Sequence, residues 1–275
     1  MMQQPKTFDP HIHPREIILV GVGGTGGHLA RAIARILAHM KALRMSVPSF
    51  TLIDPDIVEM KNVSRQLYTP AEIGMNKAEV TARRLSCALG LPIEWIAEPF
   101  SASQHIGRDS YGLILIDAVD NHLARRELAQ VKRSVVVSCG NHRSSGQVSI
   151  GNQSDRDEVL RLLDEITKRQ HKLGNKETVA YLPTAYALFP ELLEPESAPE
   201  LPQNTDASCA VRVLQGEQEL LINDVIATIA ARYIQQLLFR QPIQSFLTFC
   251  DIEGMFSVRP VAITNENVLR YLQPA

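Results

Sequence analysis

Apolar positions in this chain alternate between short solid runs and longer spaced stripes. Ile17, Ile18, Leu19, Val20 and Gly21 form an unbroken apolar run that ends in glycine. Such a run predicts a strand covered on both faces that leads into a turn. Leu29, Ile33, Ile36, Leu37 and Met40 then recur at helical spacing and predict a helix over residues 26–41. Apolar runs at 50–54, 93–97, 113–117 and 135–139 predict further strands, and the stripes at 71–89 and 123–131 predict helices between them. This alternation is the pattern of an α/β fold with a doubly wound, mostly parallel sheet.

After residue 150 the pattern changes. Residues 155–172 read as a charged, largely solvent-facing helix. Residues 181–208 hold five prolines, at 183, 190, 195, 199 and 202, a density that predicts a long loop. Leu221, Val225, Ile229, Tyr233 and Leu237 place a strong helix over 218–239, and two late strands, expected to be antiparallel, follow at 245–250 and 255–261. There is no internal repeat and no low-complexity segment.

Composition narrows the picture only slightly. The 275 residues, 45% apolar and 21% charged, suit one large α/β domain, and residues 1–275 are expected to form a single unit. A net charge of −2 provides no overall attraction toward nucleic acid. The cysteines at 87, 139, 209 and 250 form no CxxC pair and suggest a reducing compartment. Cys87 and Cys250 read as buried packing residues. The first sixteen residues lack an apolar signal core, and no apolar run reaches the ~18 residues of a membrane span, so the expectation is a cytoplasmic protein with no membrane partner. His11 and His13 read as part of a flexible tail rather than as metal ligands.

The chemistry begins at Gly21-Val22-Gly23-Gly24-Thr25-Gly26, which fits G-x-G-x-x-G between a strand and a helix. Glycines there bring phosphate oxygens close to backbone N–H groups at a helix N-terminus. A dinucleotide dehydrogenase places its ribose-binding acid roughly 20 residues further on. Here the next strand-end acid, Asp54, lies 28 residues after Gly26. The turn alone leaves NAD and ATP both open. Arg65 and Lys77 are two cations placed to meet a triphosphate, one a planar fork and the other a point charge. Asp120, beyond another strand end, suits a Mg²⁺ ion shared with phosphate oxygens.

The order G-x-G-G-x-G, D-x-D-x-V-E-x-x-N-x-x-R-Q, G-x-x-K and D-x-x-D-N-x-x-x-R, over roughly residues 17–150, resembles the ThiF/MoeB/ubiquitin-activating superfamily. The resemblance implies a Rossmann-like adenylation fold whose nucleotide-binding core covers 17–150. It implies that Gly23, Gly24, Gly26 and Asp54 bind ATP, and that Asn62, Arg65, Gln66 and Lys77 surround its phosphates. Asp120 would handle Mg²⁺, and Arg125 is read as structural. The reaction implied is adenylation of the C-terminal carboxylate of a ubiquitin-like protein, with a conjugating enzyme as a further partner and a homodimer as a possible assembly. In some members the acyl group then moves to a cysteine on a crossover loop. Residues 181–210 match that loop, and Cys209 is its thiol; Cys139, at a strand end, is a weaker candidate. The layout is also similar to PRTRC-type bacterial ThiF-family proteins. Two features depart from the superfamily. Without CxxC pairs no structural zinc is expected, and only about sixteen residues precede the first strand, so Arg15 is not assigned a role on a partner subunit. Competing readings are an NAD-dependent oxidoreductase, adenylation of a small molecule or tRNA base, and a scaffold without catalysis.

Overall fold

The structure, a computed structural model, describes residues 4–107, 110–162, 178–195 and 220–272. Ten strands are described: β1 (Thr7–Phe8), β2 (Glu16–Val20), β3 (Ser49–Ile53), β4 (Ile93–Ile96), β5 (Leu113–Asp117), β6 (Val135–Asn141), β7 (Ser145–Gly151), β8 (Thr178–Val179), β9 (Ser245–Asp251) and β10 (Ser257–Ala262). Between the strands lie the helices α1 (Gly24–Ala42), α2 (Lys77–Leu89), α3 (Ala102–His105), α4 (His122–Gln130), α5 (Ala185–Leu188) and α6 (Ile222–Leu238), and α7 (Asn265–Leu272) follows β10. Residues 156–162 are helical as well, and the rest of the charged helix expected at 155–172 lies outside the described residues.

One sheet of eight strands runs in the order β10-β9-β7-β6-β5-β2-β3-β4. β2 to β6 pair in parallel, and β7, β9 and β10 continue antiparallel. The expected doubly wound, mostly parallel sheet with late antiparallel strands is what forms. Each central strand feeds both faces. Ile17 and Leu19 of β2, with Ile114 and Ile116 of β5, join the core under α1, α2 and α6. Ile18 and Val20, with Leu113 and Leu115, join the opposite core under α4 and α5. Burial on both sides is why these strands are solid apolar runs. α1 buries Leu29, Ile33, Leu37 and Met40, the stripe read from the sequence.

Several expectations change. The helix expected over 71–89 begins at Lys77, because Asn76 caps it by accepting the Glu79 N–H at 3.0 Å. Residues 70–72 form a separate 3-10 turn. The expected loop at 181–208 is packed structure in its first half, where Leu182, Ala185, Tyr186, Ala187 and Leu188 are buried around α5. Residues 196–219 lie outside the described residues. The N-terminal tail is also packed. Phe8 is buried, β1 pairs with β8, and the Tyr111 hydroxyl donates to the His11 carbonyl at 2.7 Å.

Candidate active site

From β2 the chain passes to β3 on one side, and β5 lies against β2 on the other. The carboxyl ends of β2 and β5 therefore flank the switch point, where open α/β sheets bind ligands. The glycine turn sits there. Gly21 has φ +88°, and a Cβ on it would come 2.5 Å from the Ala118 carbonyl oxygen. A Cβ on Gly26 would lie 1.9 Å from the Gly21 carbonyl oxygen, so these two glycines close the turn on itself and on the loop after β5. Gly24 faces α6, where a Cβ would meet Asn223 Nδ2 at 2.7 Å. Above Gly23 the space is open, the nearest atom being Gln66 Nε2 at 4.0 Å from an added Cβ. Gly23 is also the N-cap of α1 and brings no side chain to cap its first turn. An anion fits this place, with first-turn N–H groups facing it.

Asp54 binds the turn from below. Its carboxylate accepts the Val22 N–H at 2.5 Å and the Asp56 N–H at 2.8 Å. Burial raises its pKa, and those two backbone hydrogen bonds act against the rise. A carboxylate used this way holds the backbone that faces the ligand. Lys77, buried at the start of α2, places its ammonium 2.8 Å from Asp56 Oδ2, and Asp56 itself is exposed.

The segment between them carries Asn62, Arg65 and Gln66. Asn62 is buried, and its Oδ1 accepts the Glu59 N–H at 2.8 Å, closing a capping box around the 3-10 turn at 60–62. Its carbonyl accepts the Gln66 N–H at 2.9 Å, so Asn62 shapes the turn that presents Arg65 and Gln66. Ser64 between them has φ +67°, a left-handed conformation that non-glycine residues seldom adopt. The Arg65 guanidinium has its pKa lowered by burial. Gln66 Oε1 is buried without a hydrogen-bond partner, and the Nε2 of the same amide is the atom that faces the open space over Gly23. Tyr68 fastens the segment to the turn, its hydroxyl donating to the Val22 carbonyl at 2.6 Å.

On the other side of the turn, Asp120 is exposed on the loop after β5. The N-cap of α4 is the next residue, Asn121, which accepts the Ala124 N–H at 2.8 Å, so Asp120 is not spent as a cap. Arg125 donates to the Val119 carbonyl at 2.9 Å and pins this loop, in keeping with the structural role read for it. A single carboxylate such as Asp120 suits Mg²⁺, which takes most of its shell from water and phosphate oxygens. Among the described residues no group of three or more His, Cys, Asp or Glu is placed to hold a metal.

Sequence reasoning missed Tyr186, Asn223 and Tyr68, and gave Asp117 no role beyond its place in the D-x-x-D-N motif. Asp117 is fully buried, and its Oδ2 accepts from Ser138 Oγ at 2.7 Å and from the Tyr186 hydroxyl at 3.1 Å. Tyr186 belongs to the stretch expected as loop, so nothing in the pattern pointed to it. Asn223 and Tyr68 were hidden inside a helical stripe and a polar linker. Among the cysteines, Cys250 is buried as expected, and Cys87 is exposed against expectation. Cys87 falls off the stripe of Ala78, Thr81, Ala82 and Leu85 by which α2 packs. Cys139 is buried, and burial pushes its thiol pKa well up, which argues against a thiolate there. Cys209 lies outside the described residues.

A profile of the ThiF family matches residues 8–268. The chain belongs to the ThiF family. It is 27% identical over 113 residues to ubiquitin-like modifier-activating enzyme 5 of Drosophila pseudoobscura pseudoobscura, covering 41% of this chain and 23% of that protein. The match to the same-named protein of Drosophila grimshawi is 33% over 75 residues, 27% of this chain and 17% of the other. These matches span less than a quarter of the curated relatives' length. The fold is similar to that of PaaA, with a TM-score of 0.56 and 15% identity over 90% of this chain and 64% of PaaA. It is also similar to Escherichia coli MccB crystallised with MccA-N7isoASN, with a TM-score of 0.51 and 14% identity over 90% and 64% of the two chains. A crystal structure of MccB with ATP gives a TM-score of 0.50 at 14% identity, over 90% of this chain and 63% of that one. At such identities the likeness shows a shared fold.

No described helix is long and apolar enough to cross a membrane.

Proposed function

We propose that this ThiF-family protein binds ATP over the Gly23 turn and adenylates the C-terminal carboxylate of a ubiquitin-like protein. The observation that carries the reading is the open helix N-terminus at Gly23, where the Gln66 amide nitrogen is the nearest side-chain atom; the buried Lys77 ammonium adds support. Relatives named as ubiquitin-like modifier-activating enzymes and an MccB structure holding ATP support the choice of ATP and of a polypeptide substrate. In the reaction a carboxylate oxygen bonds to the α-phosphorus, the bond from that phosphorus to the β-bridging oxygen breaks, and pyrophosphate leaves with its electrons. The chain orients the phosphates through the α1 amides, Gln66 and Arg65, and Lys77 exchanges Asp56 for phosphate. Mg²⁺ held by Asp120 would supply charge neutralisation for the departing pyrophosphate.

A groove of about 470 Å³ crosses the antiparallel strands, lined by Gln147, Phe249, Asp251, Arg259 and Tyr271 among others. Gln147 also lines a small cavity beside Arg125 and Ser138. The thiol step is assigned to Cys209 for its place in the crossover-type segment 181–210; Cys139 and Cys250 are buried, while Cys87 is exposed on α2.

The test is ATP–pyrophosphate exchange with a candidate ubiquitin-like partner. Exchange is expected to need the partner's free carboxylate and to fall about a hundredfold in Lys77→Ala, the scale for losing one charge-stabilising group. Preferential binding of NAD in titrations sinks the adenylation reading, and exchange supported only by a small carboxylate sinks the polypeptide substrate. A thioester that reducing agent cleaves is expected in the wild type and lost in Cys209→Ala; persistence in that variant removes the assignment.

A further inference from the structure

The first turn of α1 is held by a side-chain cluster from two other elements. Asn223, in the first turn of α6 and only 7% exposed, accepts through Oδ1 from Thr25 Oγ1 at 2.9 Å and from Asn141 Nδ2 at 2.5 Å. Asn141, at the end of β6, also reaches Thr25 Oγ1 at 3.3 Å. The same Asn223 amide lies over Gly24, where an added Cβ would come 2.7 Å from Nδ2 and 3.0 Å from Cγ. One turn further, His28 Nδ1 stands 2.7 Å from Asp224 Oδ1. Asn223 thus ties the first turn of α1 to α6, and Asp224 lies close beside the next turn. Asn223 bonds to Thr25 and lies against Gly24, the residue directly after Gly23.

We propose that Asn223 is a positioning residue for nucleotide binding. It fixes the orientation of Gly24 and Thr25, and so of the amides that face the phosphates, through a three-way hydrogen-bonded junction with Thr25 and Asn141. The proposal rests on the ATP reading above. Asn223 touches no phosphate; it acts through Thr25 and Gly24. A preorganised donor array costs no reordering when the ligand arrives, and a loosened one binds more weakly. The junction also gives Gly24 its reason to be glycine, since a side chain there would displace the Asn223 amide.

The experiment measures the dissociation constant of α,β-methylene ATP by calorimetry, with thermal melting of the ligand-free full-length chain alongside. Thr25→Ser keeps the hydroxyl and is expected to bind within about twofold of wild type. Thr25→Val, close in shape but without the hydroxyl, and Asn223→Leu are each expected to bind about tenfold more weakly, the scale of one to two hydrogen bonds. The double variant is expected to be no worse than either single one, because both remove the same junction. If the losses add, or if both variants melt earlier yet bind the nucleotide as wild type does, Asn223 is structural and the proposal fails. If Asn223→Leu does not fold, the Thr25 pair decides alone. Absence of binding in the wild type overturns the ATP reading itself, which separates the two failures.

Discussion

Asp117 shows how one residue can have a second role beneath the motif that contains it. In sequence it reads only as the first acid of D-x-x-D. In the structure it is fully buried, bonded to Ser138 and Tyr186, with Val119 N–H at 3.2 Å. Burial raises its pKa, opposed first by Arg125 and then by those hydrogen bonds. A carboxyl with a folded pKa above its unfolded value binds more protons when folded. Stability then falls as pH rises from the ordinary carboxyl range through the raised folded pKa, and is level beyond it. Asp117→Asn removes the ionisation and keeps the shape. Its urea midpoint relative to wild type is expected to rise from pH 5 toward pH 8; a flat or falling difference rules out a buried, reluctant carboxylate. The motif positions were legible because chemistry demands particular residue types at fixed spacing. Tyr186 was not, since a single aromatic in a proline-rich stretch carries no period, and neither was the exposure of Cys87, where small residues blur the α2 stripe.

At the scale of elements, the strap from Glu59 to Lys77 brings most of the candidate phosphate groups to the glycine turn. It holds its course through Asn62, Asn76 and Tyr68 rather than through regular structure. Asn76 Nδ2 donates to the Asp54 carbonyl at 2.7 Å and to that of Asp56 at 3.0 Å. Tyr68, 5% exposed, reaches across to Val22. Tyr68→Phe leaves the buried Val22 carbonyl without this donor and is expected to cost about 1–2 kcal/mol of stability. Because the strap carries Arg65 and Gln66, ATP affinity is expected to fall together with stability, read by denaturant melts and nucleotide titration; an unchanged affinity separates the strap from the site. The sequence placed these residues in order and could not show that the helix expected from 71 starts at 77, because Asn76 as an N-cap competes with an apolar stripe that runs through it. β7 escaped notice for a related reason: Ser145, Gly146, Gln147 and Ser149 dilute its apolar alternation. The solid runs of β2 and β5 were plain because two-sided burial leaves no polar position.

At the scale of the whole molecule, the N-terminal stretch joins parts that are far apart in sequence. The Lys6 N–H donates to the Ile263 carbonyl at 2.8 Å, Phe8 to Ile243 at 2.8 Å and Asp9 to Val179 at 2.9 Å, while Arg15 donates to Gly112 at 2.8 Å. The stretch from Lys6 to Arg15 thus touches the ends of the antiparallel strands, the short β8 and the start of β5. Phe8, 3% exposed, belongs to the large core shared by α1, α6 and the late strands. We expect residues 1–275 to unfold as one unit for this reason, with the late strands tied to the nucleotide core by burial rather than by a linker. Phe8→Ala removes a buried ring and is expected to cost about 3–5 kcal/mol. In one cooperative unit that loss lowers a single melting transition, with calorimetric and van't Hoff enthalpies still in agreement. If instead the variant melts in two steps, with the switch-point site still binding ATP after the first, the late strands form a separate unit and the single-domain reading is wrong.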